Sequence, residues 1–293
     1  MTGVLRRSRA KWWLLSACLF LQVACGGWPN AGKALGPNES AGAASRLAPS
    51  FNLFTPEQDV ELGRLTAREY TDQLTLVEDE RVVAYVQRLG ERLAGRAPGY
   101  EFQYRFAVVA SGDVNAFALP GGFVFVNAGA ILQAETEDEL AGVLAHEIAH
   151  VALRHGTKQA SKAYLAKVGL GLVQAVTGGE ETRVGGLVGS VGRAGAELVF
   201  LRFSRASETQ ADLEGARLMA AAGYHPREMV NFFSRLKHRG VERPHEFLSD
   251  HPHPEERVAA LQRNAASLVP VPRERAEVAE FRRMKARLAA RVR

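Results

Sequence analysis

His146, Glu147 and His150 stand in the order His-Glu-x-x-His. On an α-helix, residues four apart share a face, one turn above the other. Two imidazoles at that spacing can aim at one ion. Glu147 sits beside them, where it can take a proton from water activated at that ion. Zinc favours neutral imidazole and carboxylate donors, and a catalytic zinc site keeps one position open. The pattern is also a known signature of zinc proteases. The competing reading is an ordinary helix with two buried histidines. The surroundings argue against it. Thr136 and Glu139 have the spacing of a capping box, and Leu140, Val143, Leu144, Ile148 and Val151 recur as a buried face. Gly142, Ala145 and Ala149 leave the flank of the two histidines uncrowded. Such a helix does not bury two His and a Glu without something to satisfy them.

Two histidines are too few for zinc, so a third ligand must come from elsewhere. The run from Ser204 to Asp212 offers Glu208 and Asp212, four apart on one helical face. Glu208 can bind the metal while Asp212 fixes the far nitrogen of a ligand histidine. The same two acids can equally be a solvated face near a helix N-terminus. Spacing alone leaves both readings open.

Several elements must position these residues. Thr55-Pro56-Glu57-Gln58 opens a helix over 56–71, and a second is expected over 79–94. Residues 102–110 read as a strand. Two more strands are expected at 115–119 and 123–127, joined by Pro120-Gly121-Gly122. A short helix at 128–134 leads into the motif helix. Further helices are expected over 205–222, closed by Gly223, over 226–238, and twice more towards the C-terminus. His251 lies in the loop between them. Residues 156–200 are Gly-rich and read either as a lid or as two core helices. Their apolar pieces fall short of the ~20 residues that a bilayer requires.

The chain has 293 residues, 46% of them hydrophobic, which suits a globular core. Four of its five net positive charges come from Arg6, Arg7, Arg9 and Lys11. With the apolar run from Trp12 to Ala24, they form an export signal. The run ends in Ala24-Cys25-Gly26, similar to a bacterial lipobox, so Cys25 is the expected lipidation site; Cys18 is the alternative. Gly26 is not the Asp that retains many lipoproteins at the inner membrane, so the outer membrane is the expected location. Inner-membrane anchoring or plain secretion are the alternatives. Both cysteines lie in this segment, so a mature chain has no internal disulfide. Residues 25–54 read as a flexible tether. The basic cluster Arg282, Arg283, Lys285, Arg287, Arg291 and Arg293 reads as the solvated face of a terminal helix, 269–293. No nucleic-acid motif is present.

The chain resembles the CAAX-prenyl-endopeptidase-type zinc metallopeptidases, in a branch of periplasmic bacterial proteases with short lipoprotein members. The resemblance rests on His146-Glu147-x-x-His150, on Ser204-Arg205-x-x-Glu208-x-x-Ala211-Asp212, on Asn115-x-Phe117-x-x-Pro120-Gly121-Gly122, and on His251-Pro252 followed by Arg257. It covers about residues 55–265, and the metallopeptidase domain is expected over 55–268, after the signal at 1–24. It implies an α+β gluzincin fold, mostly helical, with a small sheet whose edge strand borders the cleft. It implies one Zn2+ held by His146, His150 and Glu208, with Glu147 as general base. Asn115, Ala116, Phe117 and Ala118 would bind extended polypeptide along that edge. The membrane spans of the prenyl-processing members and a following tetratricopeptide array are missing, so prenyl substrates are not expected. The expected function is proteolysis of misfolded or unassembled envelope proteins, with outer-membrane assembly machinery as a possible partner. A lipid-anchored chaperone with a structural zinc is the alternative. In the family a His at the position of His251 sits at the zinc. It would either plug the open position or donate to the oxyanion, with Arg257 orienting it.

Overall fold

The computed structural model describes residues 51–163, 165, 203–238, 251, 254–270 and 278–292. Cys25, the export signal and most of the tether lie outside them. So does most of the 156–200 segment, and with it the choice between lid and core helices.

Helix α1 spans Pro56–Thr71, and the Thr55–Gln58 capping box forms: each side chain accepts from the other's backbone N–H. Helix α2, Glu80–Ala94, begins on the carboxylate of Asp79, which accepts from the Arg81 and Val82 N–H groups. Three strands follow: β1 (Arg105–Val109), β2 (Ala116–Leu119) and β3 (Phe123–Asn127). Helix α3 is Ala128–Gln133, and the motif helix α4 is Glu137–Ala152. Then come α5 (Arg205–Ala221), α6 (Pro226–His238), α7 (Pro254–Ala265) and α8 (Val278–Ala289). The fold is α+β, mostly helical with one small mixed sheet. Among the described residues no helix is long and apolar enough to cross a membrane.

Sheet order is β1-β3-β2, with β1 parallel and β2 antiparallel to β3. The first strand is shorter than the expected 102–110, because pairing begins at Arg105 opposite Phe123. Side chains alternate between two cores, as the two-residue period of a strand demands. Phe106, Val108, Val124, Val126 and Ala116 face the main core with α2 and α4. Val109, Phe125 and Leu119 face a smaller core closed by Leu62 and Ala67 of α1. The turn between β2 and β3 is a 3-10 turn, Pro120–Gly122. Gly121 has φ of 76°, and a Cβ there would lie 2.4 Å from Val60 Cα. Only glycine permits both that backbone and that approach of α1.

Every residue of α4 except Asp138 is buried, so it behaves as a central helix with no solvated face. Its N-terminus departs from the expected capping box. Thr136 accepts from the Glu139 N–H at 3.2 Å, but the Glu139 carboxylate accepts from Glu135 N–H instead and pairs with Arg235 of α6. Gly215 of α5 lets that helix approach closely, since a Cβ would meet the His146 backbone N at 3.1 Å. Phe281, Met284 and Leu288 of α8 are buried in the main core, while Arg282, Arg283, Arg287 and Arg291 are exposed.

Candidate metal centre

Helix α4 presents His146 and His150 one turn apart, with rings 4.7 Å between centroids. Helix α5 crosses it and, capped by Ser204, aims Glu208 and Asp212 at the same point. His251 precedes α7, and Arg257 lies on α7. All six side chains are buried, as is Glu147.

Four donor atoms converge. His146 Nε2 lies 3.1 Å from His150 Nε2 and 3.2 Å from His251 Nδ1. His251 Nδ1 lies 3.1 Å from both Glu208 oxygens. Glu208 reaches His146 Nε2 and His150 Nε2 at 3.5 Å each. Donors arranged tetrahedrally about 2.0 Å from a centre are about 3.3 Å apart, the geometry of protein zinc. The distances fit one zinc ion held by His146, His150, Glu208 and His251. The tautomers fit too. His146 Nδ1 is 3.0 Å from Asp212 Oδ1. A proton there leaves the Nε2 lone pair free for a metal.

Charge within the cluster is balanced by close partners. Burial opposes the charge on Asp212, yet two Arg257 N–H groups at 2.7 Å hold its pKa below the usual carboxylate range. Arg257 also donates to the His251 carbonyl at 2.9 Å and stands 3.0 Å from Glu208. Burial likewise acts against Glu208, but His251 and His146 hold it low. His146 is disfavoured as a cation by burial and raised by Asp212 and Glu208, to about 9 in the metal-free site. Burial, then the neighbouring His146 charge, keeps His150 well below the usual histidine value.

Glu147 differs from the other acids. Burial pushes its carboxyl up, and among the described residues its Oε1 has no hydrogen-bond partner. His251 Nε2 stands 3.5 Å from that oxygen.

Among the described residues strand β2 is an edge of the sheet. Asn127 N–H donates to the Asn115 carbonyl at 2.9 Å. That bond sets the phase of the ladder: Phe117 and Leu119 turn their backbone groups to β3, and Ala116 and Ala118 turn theirs to the open edge. The Ala116 N–H is taken by the Asn115 side chain at 2.9 Å. A small cavity joins this edge to the metal site, lined by Ala118, Leu119, Pro120, His150, Arg154 and Phe203.

Four further residues contribute that the sequence reading does not single out: His155, Gln210, Arg154 and Asp59. His155, buried, lies with Nδ1 3.1 Å from His150 Nδ1 and Nε2 3.2 Å from Gln210 Oε1. Arg154 has φ of 56° and is held by two bonds to buried Asp59, at 2.6 and 3.0 Å. The available signal was a third histidine, five residues past His150 and directly followed by Gly156; no spacing rule ties it to Gln210.

Comparison with known proteins agrees with this geometry. The family description Peptidase family M48 matches residues 80–265. The chain is 31% identical over 223 residues to the beta-barrel assembly-enhancing protease of Yersinia pestis, covering 74% of this chain and 46% of that protein. It is 29% identical over 188 residues to the metalloprotease LoiP of Escherichia coli, covering 62% and 69%. To the mitochondrial metalloendopeptidase OMA1 of Saccharomyces cerevisiae it is 38% identical over 148 residues, covering 47% and 39%. The chain spans less than half the length of the beta-barrel assembly-enhancing protease it matches.

Proposed function

The chain belongs to peptidase family M48, and from that premise we propose that it is a zinc-dependent endopeptidase of the bacterial cell envelope, acting on misfolded or unassembled envelope proteins. The observation that carries the reading is Glu147, a buried carboxylate beside the four donors whose Oε1 has no hydrogen-bond partner among the described residues. A structural zinc has no use for such a group, so the lipid-anchored chaperone is not favoured. Zinc, when bound, supplies Lewis acidity that acidifies water and polarises a carbonyl. Glu147 takes the proton of the attacking water and delivers it to the leaving amine. Its raised pKa suits both halves of that task. Asp212 holds His146 in the tautomer that presents Nε2, and Arg257 holds Asp212.

Extended polypeptide pairs with the outer edge of β2 through the Ala116 carbonyl and the Ala118 N–H and carbonyl, with Asn115 and Phe117 shaping that edge. Ala118 and His150 line one small cavity, which sets this edge beside the metal site. Backbone pairing reads an extended shape more than a sequence, which suits clients that have failed to fold. His251 is a plug in the resting state: its Nδ1 completes the donor set and its Nε2 faces Glu147. Lipid on Cys25 anchors the enzyme at the periplasmic face of the outer membrane. The name of the relatives that assist β-barrel assembly supports outer-membrane assembly machinery as a partner.

Casein hydrolysis by the purified zinc-loaded protein tests the activity. Glu147→Gln should bind zinc and cleave nothing. Equal cleavage by both proteins would refute the role of Glu147. Envelope proteomics of the same pair identifies the clients.

A further inference from the structure

His146 and His150 meet different partners behind the metal site. His146 turns Nδ1 to the carboxylate of Asp212 at 3.0 Å. His150 turns Nδ1 to the Nδ1 of a third histidine, His155, at 3.1 Å. Two neutral imidazoles can share such a contact only if one nitrogen carries the proton and the other does not. Zinc on His150 Nε2 requires the proton on His150 Nδ1. His155 Nδ1 must then be the acceptor, and the His155 proton must sit on Nε2. Gln210 Oε1, an acceptor, stands 3.2 Å from that Nε2. The three groups form one directed chain, from His150 through His155 to Gln210.

The frame around His155 is stiff. Arg154 is fixed by Asp59 and donates to the Phe54 carbonyl at 2.5 Å. After α4 a helical stretch runs over 155–163; along it, Asn52 donates to Thr157 at 2.9 Å, and the Leu53 N–H donates to Ser161 at 2.9 Å. Residues 52–54 thus bind the segment that carries His155. Gln210 belongs to α5, the helix that also carries Glu208 and Asp212. One helix therefore supplies a ligand and orients both histidines.

We propose that His155 is a positioning residue of the zinc site: held by Gln210, it accepts the Nδ1 proton of His150 and so presents the His150 Nε2 lone pair to the metal. The inference rests on the zinc reading above. It predicts a dependence on one acceptor atom at one place. In asparagine, Oδ1 takes the position of the His155 Nδ1. In glutamine, Oε1 takes the position of Nε2 and misses His150.

The test is zinc affinity of the full chain, measured by competition with a chromophoric chelator. The wild type should bind one zinc and His146→Ala should lose it; a wild type without zinc would overturn the zinc reading itself. Given a zinc-binding wild type, His155→Asn should stay within about threefold of it. His155→Gln and His155→Leu should weaken binding about 10- to 100-fold, the range typical for residues that orient a ligand. Gln210→Leu, at an exposed position that does not threaten folding, should weaken it in the same direction. The cobalt-substituted Gln variant should also show an altered d–d absorption spectrum, which loss of packing alone would not produce. Equal affinity for the Asn and Gln variants, or Gln210→Leu indistinguishable from wild type, overturns the proposal. Should His155→Leu not fold, the Asn and Gln pair decides, since both are polar in the same space.

Discussion

His251 Nε2 stands 3.5 Å from Glu147 Oε1, while the opposite ring nitrogen lies 3.1 Å from Glu208. One imidazole therefore spans the metal donors and the group expected to act as base. A side chain in that place keeps substrate and water from both. His251→Ala should raise basal casein cleavage, with zinc retained. If His251 instead donates to the oxyanion, the same change should lower kcat by roughly 10²-fold. Activity equal to the wild type would remove both roles.

Asp212 and Arg257 form a two-pronged ion pair in the protein interior, with both bonds 2.7 Å long. Removing one partner from a buried pair strands the other charge, at a cost of about 3–5 kcal/mol. Arg257→Ala should therefore lower the unfolding midpoint of zinc-loaded protein more than an exposed change such as Arg282→Ala. Asp212→Ala should weaken zinc about 10- to 100-fold. A chelator should imitate the loss of metal by abolishing cleavage and lowering the midpoint. Calorimetry with and without chelator reads the midpoints, chelator competition the zinc affinity, and casein hydrolysis the cleavage.

Ala118 turns its N–H to the open edge of β2, so a substitution there separates substrate pairing from sheet integrity. Ala118→Pro removes that donor without touching the bonds from Phe117 and Leu119 to β3. For an extended peptide kcat/KM should fall roughly tenfold, about the value of one hydrogen bond, while the unfolding midpoint shifts little. An unchanged kcat/KM would show that substrate does not pair along this edge.

Cys25→Ala should abolish labelling by a radioactive or clickable fatty acid and release the protein into the soluble fraction. Persistent labelling would transfer the acyl site to Cys18 or refute lipidation.

The pairs that can be read along one helix were legible before any fold was known. His146 and His150 share a face because four residues span about one helical turn, and the same rule joins Glu208 to Asp212. Thr55 with Gln58 announced the start of α1, and the glycines after Pro120 announced a turn. Local rules failed at Glu139. Its spacing from Thr136 matched a capping box, but Arg235, 96 residues away, and the Glu135 N–H took its carboxylate. A tertiary ion pair outweighed a reciprocal backbone bond.

What the sequence determined by itself was direction: which side chains leave one face of one element together. Distance between elements was decided by the tertiary structure. Nothing in the spacing of His251 and Arg257 places them against Glu208 and Asp212. They arrive there because α7 packs on α5 and α6. His155 and Gln210 are 55 residues apart and meet only where the stretch that follows α4 passes α5. The open edge of β2 depends on which strands flank it, and strand order is a property of the assembled sheet. Helical and strand periods are set by the backbone and are local. Contacts between elements are set by packing side chains into shared space, and that information is spread over the whole chain.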